Sequence, residues 1–283
     1  MAQAATRMQC MEIWGGNEPA RRRVATPGLQ VQVLSRPVGG SAGGGDLHFV
    51  SSCASGRITR FVLADVSGHG DAVAAVARDV RDLMRRSINH VDQTRFVASL
   101  NRRIAEIGGG ELFATAIVGT FFVTTRRLSL CNAGHPPPLL RRRGEDRWTP
   151  LPPAVAEPGE IANIPLGIIP RIPYRETVLR LAPGDRLLAC TDAAAESRDA
   201  AGEMLGPEGL ERLLGELDGP AAAASTLAST PGSTPDPDRE DDLLDRLDAA
   251  LATRRGQPAD DDETLLLLAG DATASRWRDT LLA

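Results

Sequence analysis

Four aspartates stand where apolar segments begin or end. Asp46 follows Gly43-Gly44-Gly45, Asp65 closes the run Phe61–Ala64, Asp192 closes LLACT, and Asp261 stands just before TLLLL. Carboxylates at strand ends can converge on one edge of a sheet core. Hard divalent cations such as Mg²⁺ and Mn²⁺ take oxygen ligands and keep several waters, so a few carboxylates suffice to hold them. Such a site suits phosphate chemistry, in which the metal orients and activates a water nucleophile. Taken singly, each residue is an ordinary turn aspartate. The set acquires chemical meaning only if its members meet in space.

The elements that would bring them together are legible in outline. In LQVQVL (29–34) apolar residues alternate with Gln, the pattern of a half-buried strand. GGSAGGGD (39–46) leads into a second strand around LHFVSS, and TRFVLADV reads as a third, central one. From Asp71 the period changes: Val73, Val76, Val80, Leu83, Met84 and Ile88 fall on one face of a helix. A second helix buries Phe96, Leu100, Ile104 and Ile107 and ends at GGG (108–110). FATAIVGTFFV, RRLSLCNAG, PPPLLRR, TVLRL and DRLLACT follow as strands, the last two joined by the turn APGD (182–185). Residues 205–217 suit a short helix, DLLDRLDAALATRR another, and TLLLLAG a buried final strand.

Strands early and late with helices between predict an α+β fold, helices packed on antiparallel sheets. The expected organisation is an irregular N-terminal arm over 1–28, one domain over 29–270 and a C-terminal tail over 271–283. Within the domain, 219–242 is rich in Pro, Ser, Thr and Ala and poor in bulky apolar residues, and is expected to be a mobile insertion.

Composition excludes several classes. The chain has 283 residues and a net charge of −5, without the basic footprint of a nucleic-acid binder. Arg21-Arg22-Arg23 and Arg141-Arg142-Arg143 are short enough to be solvated loops. Cys10, Cys53, Cys131 and Cys190 form no CxxC pair, which fits reduced structural thiols rather than a disulfide framework. Neither a signal peptide nor a run approaching the ~18 apolar residues of a membrane span occurs, so the expected location is cytoplasmic, with no membrane partner.

DVSGHG (65–70), NAGHPPPLL (132–140), TDAAAES (191–197) and the terminal DDET (261–264) together resemble the motifs of the bacterial stage II sporulation protein E-type serine/threonine phosphatases. These form the prokaryotic branch of the metal-dependent protein phosphatase 2C (PP2C) superfamily, and the resemblance runs in order from about Leu29 to Leu268. It implies a two-sheet antiparallel β-sandwich flanked by helices, with a centre of two Mn²⁺ or Mg²⁺ ions at one end. By the same resemblance Asp65 bridges the metals, the Val66 carbonyl holds the second, and Asp192 and Asp261 complete the shell of the first. Asp46 ligates directly or through water. Asp65, Asp192 and Asp261 thereby become the catalytic set, and a metal-activated water attacks phosphorus without a phosphoenzyme. The implied substrate is phosphoserine or phosphothreonine on a protein, of the anti-sigma-factor antagonist kind found in partner-switching circuits. Gly68 and Gly70 would let the turn pass close to the metals.

The chain also departs from the family. A second aspartate commonly follows the GGD motif three positions on, and Phe49 occupies that place; the glycine of TDG is Ala193. These departures keep a rival reading alive, a catalytically weak or silent partner-binding module of the same fold. A hydrolase of small phosphate esters is a third. The remaining candidates read as structural: His69 as a turn residue beside the site, and His135 and Asn132 as holding a loop. Ser67 has no evident base and no GxSxG context. The glycines before Asp46 lack the GK[ST] of a P-loop. With only 28 residues ahead of the first expected strand there is no room for a sensor domain, so regulation is expected from a separate protein or from self-association.

Overall fold

A computed structural model describes residues 6–8, 11–53, 56–68, 71–90, 92–219 and 243–272. Two sheets stack with helices outside each. The first sheet runs in the order β1 (Thr6–Arg7), β3 (Ala20–Thr26), β4 (Leu29–Arg36), β13 (Glu263–Gly270), β12 (Arg186–Cys190), β9 (Leu139–Arg141) and β10 (Thr149–Pro150). The second runs β11 (Thr177–Arg180), β8 (Arg127–Ala133), β7 (Ala114–Phe122), β6 (Ile58–Val66), β5 (Asp46–Ser52) and β2 (Ile13–Gly16). Every pairing is antiparallel except the short β1–β3 contact.

The alternation of side chains along each strand assigns three apolar layers. In β6, Phe61 and Leu63 point between the sheets, while Val62, Ala64 and Val66 face α1 (Asp71–Arg86) and α2 (Gln93–Gly108). In β13, Leu266 and Leu268 fill the space between the sheets, whereas Leu265 and Leu267 face α4 (Gly206–Asp218) and α5 (Leu243–Arg255). Apolar residues on both faces explain why these two strands read as continuous runs: each is central in its sheet and covered on both sides. α2 starts at Asp92, whose carboxylate accepts from the Arg95 N–H at 2.9 Å, and stops at Gly109 in the left-handed region.

Two expectations need adjustment. The N-terminal arm is not irregular, since β1, β2 and β3 all fall within 1–28. The strand signal was hidden because β3 carries Arg21-Arg22-Arg23 near the sheet margin, where alternation with solvent-facing charge is allowed. Gln32, expected on a wet face of β4, is buried at 4% exposure. The proposed mobile insertion, apart from Gly219, and the tail beyond residue 272 lie outside the described residues. Cys53, Cys131 and Cys190 are buried and free of disulfides, and no helix among the described residues is long and apolar enough to cross a membrane.

Leu266 tests this layering, because it is fully buried between the sheets. Leu266→Ala should lower stability by about 2–5 kcal/mol through lost transfer energy and a residual cavity. Urea unfolding followed by circular dichroism measures it.

Candidate metal centre

The chain ends of both sheets meet at one edge of the sandwich, and all four aspartates lie there. Asp46 opens β5 and Asp65 is the last residue but one of β6; the two are direct cross-strand partners. Thr115 of β7 sits opposite Asp65 on its other side. Cross-strand partners share a sheet face, and the neighbours of these residues, Val50, Leu63 and Ile117, belong to the layer between the sheets. Asp46, Asp65 and Thr115 thus form a polar row where that layer ends. Asp192 begins the single-turn helix α3 (Asp192–Ala195) directly after β12, and Asp261 lies in the loop leading into β13.

Asp46 is the most enclosed, at 3% exposure. Its Oδ2 accepts from Thr191 Oγ1 at 2.9 Å, which ties the second sheet to the end of β12 in the first. Thr191 in turn accepts from the Thr264 N–H at 2.9 Å, and the hydroxyls of Thr264 and Ser35 lie 2.9 Å apart. Burial pushes the Asp46 carboxyl well above the usual carboxylate range. Its hydrogen bonds with Thr264 and Thr191 act the other way, and the charges of Asp65 and Asp262 add to the rise. Asp65 is raised to about 6, by burial first and then by Asp192, Asp261 and Asp262. The four candidate acids, with Asp262, are therefore close enough to repel one another.

Asp262 had no assigned part in the sequence reading, yet it organises this edge. Its Oδ2 accepts from the Gly45 N–H at 2.5 Å and its Oδ1 from the Val38 N–H at 2.6 Å. The run Asp260–Glu263 drew attention to acidity but could not say which member faces inward. Asp261 accepts from the Asp262 N–H at 2.8 Å, so the two neighbours turn to different partners.

The glycines before Asp46 are there for space rather than for flexibility. A Cβ on Gly45 would lie 2.9 Å from the Val66 carbonyl oxygen, and one on Gly44 would lie 2.5 Å from Asp262 Oδ2. Gly68, at φ +107°, turns the chain after Val66. Ser67 is spent on that turn: its Oγ donates to the Phe113 carbonyl and accepts from the Phe113 N–H, both at 3.0 Å. His69 and Gly70 lie outside the described residues.

His135 holds its loop and is neutral. Its backbone N–H donates to Asn132 Oδ1 and its carbonyl accepts from Asn132 Nδ2, both at 2.8 Å, and Nδ1 lies 2.8 Å from Thr115 Oγ1. Burial lowers its pKa to about 4, against a small opposing contribution from the Cys190 backbone. Phe49, in the place of the second family aspartate, is fully buried against the helices with Arg81 5.7 Å from its ring centroid. Ala193 is also buried.

Among the described residues, no three His, Cys, Asp or Glu side chains close on one point as a ready-made cage. The donors on offer are carboxylates and the Val66 carbonyl. That chemistry fits a hard divalent ion retaining several waters, which needs only one or two carboxylates rather than an all-protein shell.

The architecture is shared with solved phosphatases of the PP2C class. The RsbU and RsbW domains of a Mycobacterium tuberculosis protein match with 26% identity and a TM-score of 0.65, over 87% of this chain and 62% of that one. The PP2C domain and regulatory-domain fragment of SpoIIE from Bacillus subtilis match with 15% identity and a TM-score of 0.64, over 85% of this chain and 63% of that one. This chain thus spans a little over three fifths of either protein. RsbX in complex with magnesium matches with 14% identity and a TM-score of 0.56, over 89% of this chain and 100% of that one. Fold and matches define a domain with the PP2C architecture. The family model described as stage II sporulation protein E (SpoIIE) matches residues 55–270, more than half of the chain, and the chain belongs to that family.

Two predictions follow from the crowded acids. A carboxyl raised to about 6 from the ordinary 3.8 binds its proton more tightly in the folded state. Folded stability therefore falls as pH rises from about 4 to 6 and is level above. In chelator, Asp65→Asn should have a Tm above wild type, with a difference that grows across that window; Mn²⁺ should raise the Tm of wild type more than that of the variant. Scanning calorimetry at several pH values checks both signs. Asp262→Ala should cost about 1–3 kcal/mol, since two backbone N–H groups lose their acceptor, and Asp262→Asn less; denaturant titration of the pair separates them.

Proposed function

We propose that this domain hydrolyses phosphoserine or phosphothreonine on a signalling protein, using water activated by two divalent ions, Mn²⁺ or Mg²⁺. The observation that carries the reading is the meeting of Asp46 and Asp65 as cross-strand partners, with Asp192 and Asp261 acting electrostatically on Asp65. Asp65 would serve both ions, the Val66 carbonyl would hold one, and Asp192 and Asp261 would hold the other. Asp46 would ligate directly or through water. The ions would lower the pKa of a water molecule and neutralise charge on the phosphoryl oxygens.

The chain's own residues have definable tasks. Thr191 and Thr264 orient Asp46 by hydrogen bonding. Asp262 pins Gly45, and so the backbone that carries Asp46, against the loop holding Asp261. Glycines at 44 and 45 let that backbone approach the Val66 carbonyl. Neither Ser67 nor His135, both among the described residues, is set up as a covalent nucleophile: Ser67 is engaged with the Phe113 backbone, and neutral His135 is enclosed. Attack by water is the consistent alternative.

The physiological substrate we favour is a phosphorylated anti-sigma-factor antagonist. The domain would work in the cytoplasm in a partner-switching circuit, under control of a separate protein or of self-association. The buried Phe49 in place of a carboxylate favours a second reading, a weak or silent binding module.

Purified protein should hydrolyse p-nitrophenyl phosphate with Mn²⁺ and stop on adding EDTA. Asp65→Asn should lose on the order of a hundredfold or more in kcat. Turnover no greater than that of the variant with either metal would favour the silent module. Hydrolysis of small esters but of no phosphorylated antagonist protein would instead mark an esterase of small phosphates.

A further inference from the structure

Next to the carboxylate edge, a cavity of about 590 Å³ opens between the 3₁₀ turn Val38–Gly40 and the C-terminal end of α5. We propose that it receives an apolar side chain flanking the phosphorylated residue of the substrate polypeptide. The proposal rests on the phosphatase reading above and adds a determinant of which phosphoproteins the site accepts.

Apolar groups make up much of its wall, with Gln257 and Asp261 as polar members outside the ion pairs. Pro37, Val38, Ala252 and Pro258 line it, and Val38 is 41% exposed although it is aliphatic. The two arginines that reach the cavity are already neutralised. Arg36 makes a two-pronged ion pair with Asp248, and Arg255 pairs with Glu263 at 2.5 Å. A second phosphate would find no free cation there, whereas a leucine- or phenylalanine-sized group would remove apolar surface from water. The volume lies within the range of pockets that enclose small ligands, not of grooves that seat a whole helix.

Continuity with the reacting position selects the occupant. Asp261 lines this cavity and also acts on Asp65, so the cavity begins where the proposed metal centre ends. An extended chain advances about 3.3–3.6 Å per residue, so a side chain only a few positions from the phosphoresidue would reach it. The two sites are also mechanically joined. Asp262 accepts from Val38 on the cavity wall and from Gly45 beside Asp46, so one carboxylate holds both in register. Occupancy of the cavity would thus fix the turn to which the Asp46 backbone is tied.

Phosphoserine peptides of otherwise glycine and serine, carrying one leucine at each position within about four residues of the phosphoserine, test this on wild type, Ala252→Trp and Gln257→Trp. Both substituted residues line the cavity, and neither is among the proposed metal ligands. In wild type, leucine at one or two positions should raise kcat/KM about tenfold over the leucine-free peptide, the effect of about 1.4 kcal/mol. Within each tryptophan variant that ratio should fall below about twofold, because the indole fills the cavity. Equal rates for all peptides with wild type would overturn the proposal, as would a leucine preference that survives in both variants. A concentration-dependent dimer that both variants dissociate would give the cavity to a second copy of this chain and overturn it too. Wild type inactive on p-nitrophenyl phosphate as well as on every peptide would instead overturn the phosphatase reading itself.

Discussion

Mutual repulsion among clustered acids, of which Asp46 is buried, is the constraint around which this molecule is organised. Asp46 and Asp65 face each other across one pair of strands, with Asp192, Asp261 and Asp262 close enough to act on one or both of them. Left alone, Asp46 and Asp65 favour protonation or separation, since desolvation and like charges both penalise their ionised forms. The surrounding structure opposes separation through neutral donors: Thr191 on Asp46, and the Val38 and Gly45 N–H groups on Asp262. This arrangement suits cations that arrive from solution, because each acid is positioned while the charge remains uncompensated.

The layered fold supplies the rigidity. The acids come from both sheets, Asp46 and Asp65 from the second and Asp192 and Asp261 from strand ends of the first. Their relative positions depend on how the sheets stack, and the leucines of β13 fill the layers on both sides of the first sheet. The bond from Thr191 to Asp46 crosses between sheets where the apolar layer ends.

Much of this could be read from residues alone, and the reasons differ by element. β6 and β13 were legible because central strands covered on both faces are continuous apolar runs. α1 and α2 were legible because one buried face leaves a helical period. β2 and β3 were not, because short or marginal strands carry glycine and arginine where solvent permits them. Asp65 stood out at the end of its strand. Asp262 did not, because three consecutive aspartates look alike until the backbone turns each toward a different partner. In the sequence the glycines at 44 and 45 are only the lead into a strand, and the closeness of Val66 and Asp262 reveals them as a requirement for space.

The sequence by itself determined the kinds of group available, their order and the strand ends on which they sit, because apolar periodicity and turn residues are local properties of the chain. Only the tertiary structure decided that Asp46 opposes Asp65, that Thr191 and Asp262 hold the edge together, and that an apolar cavity adjoins Asp261. The bonds of Thr191 to Asp46 and of Gly45 to Asp262 join residues more than 140 apart. Register and sheet stacking set such contacts, and no local pattern of residues encodes them.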